Sequence, residues 1–393
     1  MYERPEFRLL SDRLQEPRKF IQLVVGPRQI GKTTTVKHVL ESLEMPSVYV
    51  SADNVYGNER EWLASVWEKA RKTARQSPEG CVLAIDEIQR ISDWTLVVKR
   101  HWDADTWDKV NVKVVLIGSA RARYFSGLSE SLMGRFEEIR MTHWTFSEMR
   151  EAFGWTLEQY IYFGGYPTAA DAINDELSWK EAIRSAVVDR TLTRDILEDT
   201  RIAKAALMKH TLSAVSARSG EEMSLTKLLT ELQGPMGNVM TISSYLALLK
   251  ESGLAGALEK YEGGKLRCRS SIPKLQVHNN ALCAALGAET FSDVRNDADL
   301  WHKRVRSAVG AYLASLAYRN GDELFYWRES DAEVDYVLHA RSGVLAIQCE
   351  GGRRADKGLE AFGRKFSPNA TLIVGSGGMP LEMFLQTDPL TWV

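Results

Sequence analysis

The octet Gly26-Pro27-Arg28-Gln29-Ile30-Gly31-Lys32-Thr33 constrains this chain more than any other stretch. It follows the apolar run Phe20 to Val25 and precedes a helical pattern from Thr34 to Leu43. A G-x-x-x-x-G-K-[ST] spacing cradles nucleotide phosphates only where it joins a strand to a helix, and these flanks meet that condition. A chance glycine turn is the bland alternative, and flanks of the right kind weigh against it. The glycines let the backbone curl so that successive N–H groups converge on phosphate oxygens. The helix that follows adds the positive end of its dipole. On this reading the octet and Thr34 line the cradle, Lys32 reaches the β- and γ-phosphates, and the Thr33 hydroxyl holds Mg²⁺.

A second segment strengthens the expectation. Val82-Leu83-Ala84-Ile85 is short and apolar enough for a buried parallel strand, and it ends in Asp86-Glu87. Carboxylates at the carboxyl end of such a strand sit at the crevice where α/β sheets bind ligands. Asp86 is then expected to face the Mg²⁺ held by Thr33, directly or through water. Glu87 is expected to orient and deprotonate an attacking water. Alone, the pair would be an ordinary acidic strand end. Beside a phosphate loop it predicts an NTP-hydrolysing core.

At 393 residues the chain is long enough for two or three domains. Its 44% hydrophobic and 26% charged residues fit a soluble globular protein. A net charge of -2 gives no global reason to expect nucleic acid, although a local basic face remains open. Cys81, Cys268, Cys283 and Cys349 are scattered without a C-x-x-C pair, which predicts neither a zinc site nor a disulfide framework. Reduced thiols in a cytoplasmic protein follow. The charged amino terminus lacks the apolar core of a signal peptide. No apolar run approaches the roughly 20 residues that span a bilayer, so no membrane partner is expected.

The first third alternates strand and helix. Ser47 to Ala52, Val82 to Ile85, Val112 to Gly118 and Phe136 to Met141 read as strands, and Glu59 to Arg75 as a helix with Trp62, Val66 and Trp67 on one side. Such alternation predicts a parallel sheet with helices on both faces. From about Thr145 strand signals disappear. Phe146 to Phe153 and Trp179 to Leu197 look helical around the turn Tyr162-Phe163-Gly164-Gly165-Tyr166-Pro167, which reads as a helical lid or connector. Ser224 to Leu232 and Thr241 to Ser252 then form two short helices separated by Gly234-Pro235 and Gly237. Ala257 to Tyr261 and Leu266 to Ser270 flank Glu262-Gly263-Gly264 as a hairpin, completing a winged helix. The last hundred residues return to mixed α/β, with strands at Val334 to Leu338, Leu345 to Cys349 and Ala370 to Val374 and a helix at Leu359 to Phe366.

The phosphate loop, the quartet Asp86-Glu87-Ile88-Gln89, Gly134-Arg135, Gly164-Gly165-Tyr166-Pro167 and Glu333-Val334-Asp335-Tyr336 together resemble prokaryotic AAA-type ATPases with a carboxy-terminal domain of unknown function. The resemblance runs over nearly the whole chain. It implies an α/β P-loop NTPase core over 1–145, a helical connector over 146–211, a winged helix over 212–290 and a small restriction-endonuclease-like α/β domain over 291–393. It also implies ATP and Mg²⁺ as cofactors. In similar ATPases a small polar residue at the place of Ser119 senses the γ-phosphate; a plain strand-end turn is the equal alternative. Arg135 stands where such enzymes carry an arginine finger, acting in cis or from a neighbouring subunit, against the alternative of a surface salt bridge.

Endonuclease-like folds of this kind hold Mg²⁺ through an Asp on one strand and E-x-K on the next. This chain keeps Asp335 but reads Gln348-Cys349-Glu350 on the following strand, with Arg306 where an acid of the first helix is expected. A neutral amide weakens a hard-cation site, and a carboxylate in place of lysine reverses the local charge. A scaffold without nuclease activity is therefore expected, with Glu350 the remaining candidate for a shifted ligand. In the winged helix, Lys260, Lys265, Arg267 and Arg269 on the hairpin offer phosphate contacts for DNA. The helix that would enter the major groove lacks Arg and Asn readers, which favours a packing module instead.

The expected protein is an ATPase that uses Mg·ATP to move its later domains. An ATP-switched DNA-binding regulator, an ATP-dependent nucleic-acid processing enzyme, and a nucleotide-gated protein-interaction scaffold with no nucleic acid at all remain the rivals; a homo-oligomer or a protein partner stays open.

Overall fold

The computed structural model describes residues 2–55, 57–120, 131–197, 205–232, 237–263, 271–350 and 352–392. The chain divides into two compact units, Met1–Met141 and Thr142–Val393.

In the first unit the order of elements is α1 (Pro5–Gln15), β1 (Ile21–Gly26), α2 (Lys32–Ser42), β2 (Ser47–Ser51), α3 (Glu59–Gln76), β3 (Cys81–Asp86), α4 (Trp94–Trp107), β4 (Val112–Ser119) and β5 (Phe136–Arg140). The five strands form one parallel sheet ordered β2-β3-β4-β1-β5. β1, β3 and β4 are buried along their whole length, which is why they read as continuous apolar runs rather than alternating ones. Their side chains join Leu63, Val66 and Trp67 of α3 in one core. Because β4 lies between β1 and β3, the loops after all three strands open at the same carboxyl edge of the sheet, where such folds bind ligands.

Helices α1 and α4 are additions to the alternation expected from the sequence. α4 buries Trp94, Val98 and Trp102 at four-residue spacing. Polar residues also turn inward there: Asp105 is buried, taking hydrogen bonds from Trp67 Nε1 at 2.7 Å and Arg71 Nε at 2.5 Å. That buried acid breaks the apolar stripe on which a periodicity argument depends.

The second unit begins with α5 (Phe146–Phe153), α6 (Leu157–Phe163) and α7 (Glu176–Ile183), the last running on through wider π-type turns to Leu197. Next come α8 (Ala205–Ala217), α9 (Leu225–Glu231), α10 (Val239–Glu251), β6 (Ala255–Leu258), β7 (Lys274–Val277), α11 (Ala281–Leu286) and α12 (Phe291–Asn296). β6 pairs antiparallel with β7, Ala255 opposite Val277. The arm expected at Leu266–Ser270 lies outside the described residues, as do Gly264, Lys265, Arg267, Cys268, Arg269 and the break at Gly234-Pro235. The described strand on the near side is Ala255–Leu258, two residues earlier than the expected start at Ala257.

The chain ends with α13 (Ala298–Asn320), β8 (Glu323–Glu329), β9 (Ala332–Ala340), β10 (Gly343–Cys349), α14 (Arg353–Phe366), β11 (Ala370–Val374) and α15 (Leu381–Phe384). Four strands form a sheet ordered β11-β10-β9-β8, with β9 antiparallel to both neighbours and β11 parallel to β10. Alternation sorts the two faces, reset once where β8 and β9 shift register between the pairs Phe325–Val337 and Trp327–Val334. Tyr336, Leu338, Leu345 and Ile347 meet Val309, Leu313 and Leu316 of α13, while Val334, Val337 and Ala346 meet Phe362 of α14. α13 is buried almost all round between Ser307 and Leu313, so no one-sided stripe announces it in the sequence.

The turn Gly164-Gly165-Tyr166-Pro167 acquires a structural reason. Gly165 N–H donates to Asn279 Oδ1 at 3.1 Å, and its carbonyl accepts from Trp144 N–H at 3.2 Å. A Cβ on Gly165 would lie 2.1 Å from the Trp144 carbonyl oxygen, a contact backbone cannot relax. Tyr166 is buried edge-on to His143, ring centroids 5.1 Å apart, and His143 is fixed by Gly253 O at 2.9 Å and Asn279 Nδ2 at 3.1 Å. Gly165→Ala is expected to cost about 1–3 kcal/mol. Denaturant unfolding that shows no change would remove this account of the motif.

Candidate nucleotide site

The loop between β1 and α2 turns on two left-handed residues, Gln29 (φ 62°) and Gly31 (φ 93°). Gly31 caps α2, and its carbonyl already accepts the Thr35 N–H at 2.9 Å. The first-turn amides of α2, including those of Lys32, Thr33 and Thr34, therefore begin a helix whose positive end faces the loop. Lys32 Nζ curls back over the loop and donates to Gly26 O at 2.9 Å and Pro27 O at 2.7 Å. Thr34 is exposed on the same turn. At the loop's other end, Met141 N–H donates to Val25 O at 2.8 Å, and a Cβ on Gly26 would fall 2.3 Å from Met141 O.

The acids after β3 reach this loop across the edge of the sheet. Thr33 Oγ1 donates to Asp86 Oδ2 at 2.7 Å. The same oxygen accepts the Tyr49 hydroxyl at 2.8 Å, a residue the sequence reading passed over. Burial, together with the Asp86 charge, pushes the Tyr49 phenol well above its ordinary value, so it stays a donor. Asp86 Oδ1 takes the Glu87 N–H at 2.9 Å. A hydroxyl and a buried carboxylate in contact are hard oxygen donors of the type Mg²⁺ takes, so these residues fit that ion. Among the described residues no three His, Cys, Asp or Glu side chains gather as a fuller metal cage.

Glu87 is not turned toward open water. Its carboxylate is gripped by Arg28, Nη1 to Oε1 at 3.1 Å and Nη2 to Oε2 at 3.2 Å, and Gln89 Nε2 donates to Oε2 at 2.5 Å. Burial works to raise this carboxyl, but the charges of Arg28 and Lys32 outweigh it and hold it below the usual carboxylate range. Glu87 itself sits at φ 53°, in the left-handed region that non-glycine residues rarely adopt.

Ser119 is buried at the end of β4, in register with Gly26. The sheet thus brings Lys32, Thr33, Asp86, Glu87 and Ser119 to one edge. Arg135 is elsewhere. Its carbonyl accepts the Ile21 N–H at 2.8 Å, at the start of β1, while the loop leaves the end of that strand. The five residue-to-residue steps of β1 put roughly 16 Å between the two ends. The guanidinium is paired with Asp103 of α4, at 2.7 and 3.2 Å. Action of Arg135 on the phosphates of its own loop is therefore corrected: the strand length stands between them.

Residues 18–150 match the AAA domain. Residues 154–295 match a domain of unknown function, DUF8612. No curated protein matches the chain. Among solved structures, the Walker-type ATPase of Pyrococcus abyssi is similar at 14% identity and a TM-score of 0.48, over 73% of this chain and 96% of that one. The Aeropyrum pernix Orc1 protein in complex with DNA is similar at 13% identity and a TM-score of 0.32, over 73% of this chain and 92% of that one. AMPPCP-bound DnaA from Aquifex aeolicus is similar at 11% identity and a TM-score of 0.35, over 64% of this chain and 90% of that one. The loop, Asp86, Glu87 and Ser119 all belong to the stretch matched by the AAA domain. Among the described residues no helix is long and apolar enough to cross a membrane.

Outside the AAA domain, the cluster around Asp335 has a different character. Asp335 is buried on β9, and Lys274 Nζ of β7 donates to its Oδ1 at 3.1 Å and its carbonyl at 2.9 Å. Arg306 Nε of α13 lies 3.3 Å from the same Oδ1, and Cys349 N–H donates to Oδ2 at 2.9 Å. Gln348 Oε1 accepts the Asp335 N–H at 3.2 Å. Burial would raise this carboxyl; Lys274 and Arg306 overcome it and hold it below the ordinary range. Glu350 points to His302, 3.1 Å away. Lys274 carried no signal in the sequence, since 61 residues separate it from Asp335.

Proposed function

We propose that this protein binds ATP with Mg²⁺ in its AAA domain and hydrolyses it, using the free energy to rearrange its later domains. The observation that carries the reading is the 2.7 Å contact between Thr33 and Asp86 beside the amide-rich start of α2. Thr33 and Asp86 would hold Mg²⁺, which supplies neutralisation of charge on the β- and γ-oxygens. Lys32, now folded onto loop carbonyls, is placed to exchange them for phosphate oxygens. Glu87 orients and deprotonates the attacking water once its carboxylate is available. Ser119, level with Gly26, supports a role in sensing the γ-phosphate. Arg135 is left with a part only in a second copy of the chain, where its bond to Asp103 would first have to open.

For the second unit, two neighbouring helices with the β6–β7 pair support a winged helix over 212–290, and the order α13-β8-β9-β10-α14-β11 supports a restriction-endonuclease-like scaffold over 291–393. The two cations on Asp335 support an inactive one, because they occupy the oxygen a divalent metal would need. Of the basic hairpin residues offered to DNA, Lys260 is paired with Glu262 at 3.3 Å.

Calorimetry with Mg·ATP tests the core reading. Wild-type protein is expected to bind, and Lys32→Ala to lose at least about a hundredfold in affinity, the scale of a lost charge-assisted phosphate contact in a water-poor site. Folded wild-type protein without measurable affinity would overturn it. The same preparations, assayed for ATPase with and without double-stranded DNA, separate the rivals: stimulation would favour a DNA-linked regulator or processing enzyme over a mechanical switch read by protein partners.

A further inference from the structure

We propose that Arg28 is a positioning residue that keeps the base Glu87 disengaged until a nucleoside triphosphate draws its guanidinium away. The proposal rests on the nucleotide-hydrolysing reading above.

Arg28 is part of the phosphate loop itself, flanked by Pro27 and Gln29. Its fork takes both oxygens of Glu87 in a bidentate pair, with Arg28 exposed by 8% and Glu87 by 18%. Gln89 takes one of those oxygens as well. A general base must turn a lone pair to the water whose proton it removes. Arg28 and Gln89 take three of the roughly four positions the Glu87 carboxylate offers, and the bidentate fork fixes its orientation. The left-handed backbone of Glu87 shows that its surroundings hold it there against an intrinsic preference.

The position of Arg28 supplies the release. A guanidinium fork matches phosphate oxygens as well as it matches a carboxylate. A triphosphate in the cradle brings several negative charges toward a cation that shares the same loop, and Glu87 offers one. Arrival of the ligand therefore competes directly for Arg28. The carboxylate it leaves behind keeps only the Gln89 bond and can turn to water. Hydrolysis would then be confined to the loaded site by the same contact that senses loading.

The test is a double-mutant cycle in binding, which does not depend on turnover. Affinity for Mg·AMPPCP is measured by calorimetry for wild type, Glu87→Gln, Arg28→Ala and the double variant. Removing a negative charge raises affinity for a polyanion in either background. If the pair must open for the ligand, Glu87→Gln gains about tenfold more in the presence of Arg28 than in its absence, the worth of one charge-assisted bidentate contact. Equal gains in the two backgrounds would overturn the proposal and leave nucleotide binding intact. Absence of AMPPCP affinity in all four proteins would instead overturn the nucleotide reading, and this proposal with it. Should Arg28→Ala fail to fold, Arg28→Gln, which removes the charge but keeps most of the side chain, completes the cycle with the same expected surplus.

Discussion

Glu87→Gln is expected to bind Mg·ATP and to release phosphate about a hundred to ten thousand times more slowly than wild type. The amide has nearly the shape of the carboxylate, and its oxygen can still accept a bond from Arg28, so the loop and the 3₁₀ turn at Ile88–Arg90 keep their places. What it cannot do is take a proton from water. Single-turnover phosphate release, measured beside calorimetric affinity, separates the two effects. Binding retained with turnover lost supports the base assignment. Turnover within a few-fold of wild type would assign the proton to another group and leave Glu87 as a partner of Arg28 alone.

Asp335→Ala is the second large effect, and it should appear in stability rather than catalysis. Removing the acid leaves Lys274 buried without its counter-charge and Arg306 facing an empty place. Breaking a buried pair from one side costs about 3–5 kcal/mol, because the remaining charge stays out of water. The sign with pH is fixed by the lowered folded value of Asp335. The contribution is fully present above the unfolded carboxyl value of about 3.9 and is lost as pH falls through the lower folded value. Denaturant titrations should therefore show a constant gap between wild type and variant from neutral pH down to about 4, narrowing only below it. Neither protein should cleave DNA with Mg²⁺ present. A loss under 1 kcal/mol, or cleavage that vanishes in the variant, would return Asp335 to metal chemistry.

How much of this could be read in advance depended on whether a feature is local. The phosphate loop was legible because its chemistry fixes glycine spacing and both flanks within some twenty residues. β1, β3 and β4 were legible because burial on both faces leaves unbroken apolar runs. α4 and α13 were not: the first buries Asp105 within its stripe, and the second is charged over its first turns and buried on every side between Ser307 and Leu313. β8 lay beside α13 and shared its obscurity. Partners were harder still. Tyr49 with Asp86, Arg28 with Glu87 and Lys274 with Asp335 are separated by 37, 59 and 61 residues, and only the folded chain brings each pair together. Arg135 shows the opposite limit: its local run left open a finger in cis, a finger from a second subunit or a surface salt bridge, and only the fold shows the strand length and the Asp103 pair that bear on the choice.

The two glycines of the octet answer different demands. At position 31 the surroundings are open, and only the left-handed backbone forbids a side chain. At position 26 the obstacle is the carbonyl of Met141, where the chain leaves the first unit. A descendant that had abandoned nucleotides altogether would still need glycine at 26, simply to let its own backbone pass. Lys32 would be under no such obligation, so drift at 32 with glycine kept at 26 is the mark by which an extinct ATPase of this architecture could be told from a working one.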